Sequence, residues 1–272
     1  MSALALGSTT RRVFVAAALA LVATACTPDA SSVDPDVRRL LAPTGSLRVG
    51  LYAGTPTSIL PASGTEGARG VGHDLGREFA SYLGVPFAPV VFARNDEVQA
   101  AMRAGTVDIV FTNATPDRAR DMNFAQPHLD IELGDLVPPG SPIGKLADVD
   151  RTGMRIGVTE RSTSDGRLTR EFKAAQVVRL RTLGDGIAAL NEKRVDAYAT
   201  NKATLFEMGD RVPGSRVLDG QWGLERHAMG MPKGREAGLD VARRFVERVV
   251  KDGQVRAAID RAGLRGAIVA AP

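Results

Sequence analysis

Val107-Asp108-Ile109-Val110-Phe111-Thr112-Asn113-Ala114-Thr115-Pro116-Asp117-Arg118 is an apolar run that ends in polar residues and passes into a helix-start signature. A strand that ends this way sets hydroxyl, amide and guanidinium groups at the carboxyl edge of a sheet, where open α/β sheets bind ligands. Thr115 is expected as an N-cap, Pro116 at the first helical position and Asp117 in the first turn, where a carboxylate suits the helix dipole. The wording returns as Val195-Asp196-Ala197-Tyr198-Ala199-Thr200-Asn201. Two V-D-x-x-x-T-N segments in one chain point to two similar lobes.

Working outward, Leu47-Arg48-Val49-Gly50-Leu51-Tyr52 reads as a strand running into the turn-rich Thr55-Pro56-Thr57-Ser58. Residues 74–83 carry Leu75, Phe79, Tyr82 and Leu83 on one helical face, with Gly84 as the stop. Residues 87–92 form the next strand, and Asn95 is expected to cap a short helix that ends at Gly105. The second unit repeats this plan from Met154-Arg155-Ile156-Gly157-Val158, with Ser164 as the expected cap of its first helix. Strands alternating with helices predict mostly parallel sheets. Residues 130–137 and 225–231 read as two extended crossings, and the amphipathic tail from Leu239 is expected to return to the first lobe.

A chain of 272 residues has room for two medium domains. Its 44% apolar and 24% charged residues are ordinary for a globular protein and argue against disorder or a membrane bundle. The net charge of +4 invites a nucleic-acid reading. Without a Lys/Arg block or interleaved aromatics, that partner is excluded. His73, His128 and His227 lack metal-ligand spacing, so neither metal nor cofactor is expected. His128 and His227 fall near the crossings, which would make closure sensitive to pH.

Arg11-Arg12, a short apolar run from Val13 and the small residues before Cys26 make residues 1–25 an export signal rather than a spanning helix. Both a general and a twin-arginine route fit. Cys26, the only cysteine, stands where a bacterial lipoprotein carries its lipid, although Ala23-x-Ala25 also suits simple cleavage. Residues 26–45 then read as anchor cysteine and flexible tether.

Gly45-Ser46-Leu47-Arg48-Val49-Gly50, Gly70-x-x-x-Asp74-Leu75, Gly105-x-Val107-Asp108, Thr115-Pro116-Asp117-Arg118, Phe124-x-x-Pro127, Val158-x-x-x-Ser162-Thr163-Ser164 and Gly230-Met231-Pro232-Lys233-Gly234 occur in this order and spacing. Together they resemble the bacterial extracellular solute-binding proteins of family 3, polar amino-acid receptors of ABC importers. The resemblance implies an α/β chain of the periplasmic binding protein type 2 fold: two Rossmann-like lobes joined by two hinge crossings. Lobe 1 would take residues 46–129, lobe 2 residues 130–226, and residues 227–272 would return to lobe 1. It also implies a monomer in the periplasm or at the cell surface, held by its lipid, closing on a small carboxylate and handing it to membrane permease subunits.

In family members that bind amino acids, the arginine matched by Arg118 holds the ligand carboxylate, and a guanidinium fork suits that task on physical grounds. Asn113 and Thr112 from the first lobe, Ser162, Thr163 and Asn201 from the second, and Tyr52 as a wall complete the expected site. Asn201 departs from the aspartate that usually pairs with a ligand ammonium. Because an unpaired buried ion is costly, the amides, hydroxyls and single arginine suit either an organic acid or a zwitterion whose ammonium is satisfied differently, rather than an ordinary free α-amino acid. No catalytic residue is expected. A lyase of this fold, similar to cyclohexadienyl dehydratase, would need a cleft acid such as Glu160, and a ligand-sensing receptor is the third reading.

Overall fold

The protein is described here from a computed structural model covering residues 33–64 and 67–271. The signal segment 1–25, the Cys26 anchor and the start of the tether lie outside the described residues. The rest of the expected tether is folded. Asp34 caps helix α1 (Pro35–Leu41) by accepting a hydrogen bond from the Asp36 backbone, and Pro35 opens the helix. Val33 and Leu41 are buried in the first core and Val37 packs against it. These three residues recur every fourth position, a one-face pattern that flanking prolines obscure in so short a stretch.

The first βαβαβ unit comprises β1 (Leu47–Tyr52), α2 (Val71–Leu83), β2 (Phe87–Phe92), α3 (Asn95–Arg103) and β3 (Ile109–Asn113), with parallel strands in the order β2-β1-β3. Strand β4 (Met122–Val137) follows and is 16 residues long. The second unit is β5 (Arg155–Thr159), α4 (Thr163–Glu171), β6 (Gln176–Leu180), α5 (Leu183–Asn191) and β7 (Ala197–Asn201), ordered β6-β5-β7. Then come α6 (Lys202–Gly209), β8 (Arg216–Val217), β9 (Gly223–Pro232), α7 (Leu239–Lys251), α8 (Gln254–Ala262) and β10 (Ala267–Val269).

The parallel triplets are joined by the two long strands into one path, β2-β1-β3-β9-β4-β7-β5-β6, in which β9 and β4 run antiparallel to their neighbours. Separate cores lie over the two halves. Leu47, Phe79 and Phe245 belong to the first, which α7 and α8 join, while Leu136, Tyr198 and Leu205 belong to one over the second.

The repeated motifs act as matched staples. The Arg48 backbone and Nε donate to Asp108 Oδ2 at 2.8 and 3.0 Å, and Nη2 donates to Oδ1 at 2.8 Å. Arg155 and Asp196 repeat the pattern at 2.8, 3.1 and 2.9 Å. Each aspartate of a V-D segment therefore ties the head of one strand to its parallel neighbour, away from the ligand edge. The following glycine of each unit makes room: a Cβ on Gly157 would come within 2.9 Å of Tyr198.

Two expected caps move, and one expected helix is shorter. Arg94, not Asn95, stands at the N-cap of α3, where its backbone N–H donates to Glu97 at 3.1 Å. Ser162, not Ser164, caps α4 and accepts from the Asp165 backbone at 3.1 Å. The helix expected after Thr115 is one 3-10 turn, Arg118–Arg120. Thr115 still accepts from the Arg118 backbone at 3.2 Å, but β4 begins at Met122 and its pairing with β9 ends the turn. Among the described residues no helix is long and apolar enough to cross a membrane.

Candidate functional site

The carboxyl ends of β1, β3, β5 and β7 meet the crossing strand β9 around a cavity of about 90 Å³ between the halves. The halves touch across it. Asn95 and Gln99 side chains donate to the Arg161 carbonyl at 3.0 and 3.2 Å, Asn113 Nδ2 donates to Thr163 Oγ1 at 3.1 Å, and the Thr55 and Thr204 hydroxyls share a 3.0 Å bond. Arg161 holds a left-handed backbone, φ 58°, at this contact.

Arg118 reaches the cavity from the short turn after β3. Its Nη1 donates to Thr112 Oγ1 and, at 3.2 Å, to the Asn113 carbonyl, while Nε and Nη2 make no hydrogen bond among the described residues. Two anchored contacts thus fix the plane of the guanidinium and leave its remaining donors toward the cavity that it lines. Burial lowers its pKa, opposed by the charge of Glu225. A partly desolvated guanidinium with part of its fork unpaired has donors that suit a planar anion such as a carboxylate.

Of the residues expected at the site, Arg118, Asn113, Thr112, Ser162, Thr163 and Tyr52 all line the cavity. Asn201 does not. Its Oδ1 caps α6 by accepting from the Thr204 backbone at 3.0 Å, and its Nδ2 donates to Glu225 Oε2 at 3.0 Å. Asn113 is likewise partly engaged, since its Oδ1 accepts from the Arg226 backbone at 2.9 Å.

Sequence reasoning missed Glu225. It lies on β9, only 6% exposed, and lines the cavity together with His227, whose Nε2 is 2.9 Å from Glu225 Oε2. Burial pushes its pKa up, yet His227, Arg118 and Asn201 together outweigh burial and hold the carboxyl below its ordinary value. The signal was available: strand periodicity sets Glu225 and His227 on one face of the predicted crossing. Glu160, the acid expected for a lyase, is absent from the linings of this cavity and the adjoining one.

A wider space of about 460 Å³ adjoins the cavity and shares Arg118, Ser162 and Thr163 with it, and Arg161, Arg167 and Arg170 add positive charge there. The glycine-rich start of α2 is closed to phosphate. The Val71, Gly72 and His73 amides bond the Pro56, Thr57 and Ser58 carbonyls at 3.0 Å, so this helix start has no free donors for a dinucleotide.

The family model of bacterial extracellular solute-binding proteins, family 3, matches residues 47–263. A glutamine-binding protein of Geobacillus stearothermophilus is 26% identical over 139 residues, 51% of this chain and 50% of the relative. The chain thus spans about half the length of that curated relative. A structure of a P235GK mutant of ArgBP from T. maritima superimposes with a TM-score of 0.74 at 21% identity, covering 84% of this chain and 99% of that one. A solute receptor for L-cysteine of Neisseria gonorrhoeae gives 0.73 at 24% identity, covering 83% and 92%.

Proposed function

The chain belongs to the bacterial extracellular solute-binding proteins of family 3, and from that membership we propose that it is the exported receptor of an ABC importer. It closes two lobes on a small carboxylate-bearing solute and delivers the solute to permease subunits. The proposed lobes divide near residues 129 and 226, and the crossings are β4 and β9. Residues 33–45 go with the first lobe because α1 is packed into its core. Cys26 is proposed as the lipid anchor, and the receptor is proposed to act as a monomer.

The observation that carries this reading is the partly buried Arg118, anchored on Thr112 and Asn113 with its remaining donors unpaired beside the cavity. Thr163 and Ser162 of the opposite half complete the wall, so closure and ligand capture are the same movement. A thermal-shift screen of amino acids, keto acids and dicarboxylates tests it. A ligand at a hundred times its Kd should stabilise the fold by about 2.7 kcal/mol. Arg118→Ala should melt normally and lose that shift; an equal shift in the variant removes Arg118 from the site.

A lyase reading draws support from the Glu225–His227 pair, a buried acid and a potential proton carrier at one cavity. Chromatography of the screened mixtures separates the two. A solute that stabilises and is recovered intact supports the receptor, and one that is consumed supports the lyase.

A further inference from the structure

Beyond the last helix the chain crosses from one half of the molecule to the other. Gly263 ends α8 in a left-handed conformation, and Leu264 and Ala270 on either side of the following segment are both buried. Between them, β10 pairs antiparallel with β4, Ala267 opposite Ile131 and Val269 opposite Leu129. This is the edge of β4 that β9 leaves free and that β7 takes further along, so a third strand lies where β4 passes between the proposed lobes. None of these residues lines the cavity.

The same segment grips α6. Arg265 Nη2 donates to the Phe206 carbonyl at 2.7 Å and to Asp210 Oδ2, and its guanidinium stands 5.0 Å from the centre of the Phe206 ring. Gly266 has φ 70°, and a Cβ there would come within 3.1 Å of Lys202 and Phe206, so the segment lies flush on the helix where a side chain would not fit. Helix α6 goes with the second half, since Leu205 and Met208 are buried in that core. Its Thr204 hydroxyl meets Thr55 across the cavity at 3.0 Å. One helix is thus held on two sides, at the cavity by Thr55 and at the crossing by Arg265.

We infer that residues 264–270 form a strap that latches α6 and biases the two halves toward the arrangement in which they touch. This rests on the two-lobe reading above. A rotation that parts Thr204 from Thr55 carries α6 with it. Leu264, Ala270 and the β10 ladder hold the strap to the first core and the crossing, so the Arg265 contacts must break. The latch acts from outside the cavity, and it raises the apparent affinity of any solute that only the closed form holds, in proportion to the closed fraction.

Distance measurement by double electron–electron resonance, with no solute present, tests the inference. Spin labels go on Ala104→Cys and Ala174→Cys, exposed residues of the two halves, in a protein carrying Cys26→Ser. Arg265→Ala should raise the ratio of long to short spans by roughly three- to thirtyfold, the combined size of an exposed ion pair and a cation–π contact. Asp210→Ala should shift it in the same direction by less. The swap of Arg265→Asp with Asp210→Arg should regain part of the short span, which a damaged fold would not do. Asn113→Ala with Thr163→Ala breaks a contact on the cavity side and serves as the reference for hinge motion. If that pair lengthens the span and Arg265→Ala, with normal circular dichroism, leaves it unchanged or shortens it, the latch is overturned and the lobes stand. If neither change moves the span, the halves do not hinge, and the two-lobe reading falls together with the latch.

Discussion

The carboxylate-binding role proposed for Arg118 depends on its neighbours. A lysine would keep the charge but lose the planar fork that Thr112 and the Asn113 carbonyl orient. Arg118→Lys should therefore weaken carboxylate binding by about ten- to hundredfold, the span of a charge-assisted hydrogen bond, as read by calorimetry. Thr112→Val removes one anchor and should cost less than Arg118→Lys; an equal loss would mean that Thr112 meets the solute directly. That Arg118 lines the cavity was legible from the Thr-Pro-Asp-Arg motif that carries the family resemblance. Glu225 was not, because it reaches the cavity only when β9 crosses beside β3. Asn201 was read as a ligand contact, but it lies outside the cavity lining because its amide bonds Glu225, 24 residues on, and caps α6, partners that only tertiary structure reveals.

At the scale of elements, strand and helix order followed from periodicity, and the bounds of β1 and β2 match the sequence reading. Caps were less legible, since Ser162, Thr163 and Ser164 are all competent and the choice depends on how the chain leaves β5. Ser162→Ala should cost about 1 kcal/mol of stability through lost capping, and Ser164→Ala should not cost that capping energy. The two arginine–aspartate staples look alike in sequence but differ in burial. The Asp108 side chain is fully buried and also accepts from Arg235 at 2.9 Å, whereas that of Asp196 is 31% exposed. Asp108→Asn leaves two partly exposed guanidinium groups undercompensated at a fully buried position and should destabilise by more than the loss of the exposed staple. Asp196→Asn should cost about 1 kcal/mol or less. Urea unfolding of both variants checks the contrast, and equal losses would show that burial does not distinguish the staples.

At the scale of the whole molecule, the long crossing strands carry titratable groups out of water, and two of these groups oppose each other. His128 on β4 is fully buried against Phe111, with neither ring nitrogen hydrogen-bonded among the described residues. Burial, aided by the charge of His227, lowers its pKa to about 3. Asp135, seven residues along the same strand, is pushed up to about 7 by burial, with the Trp222 indole pulling the other way. Between about pH 3 and 6.5 the unfolded chain binds a proton at His128 that the fold refuses, so this residue makes stability fall as pH falls. Between about pH 3.8 and 7 the fold keeps a proton on Asp135 that the unfolded chain has released, so this residue makes stability rise as pH falls. Each slope is about 1.4 kcal/mol per pH unit, and in the shared window from about 3.8 to 6.5 they cancel. The sequence suggested pH-sensitive closure from the two histidines; the geometry puts His128 outside the cavity lining and makes its effect one on folding. Asp135→Asn should therefore unmask acid sensitivity, giving a melting temperature that drops from pH 6.5 toward 4 relative to the unaltered protein. His128→Leu should do the reverse and gain stability over that range. If both single variants keep the pH profile of the unaltered protein, neither group is held away from its ordinary titration by the fold; if each departs and the double variant returns to it, the two buried titratable groups on one strand set the acid tolerance of the molecule.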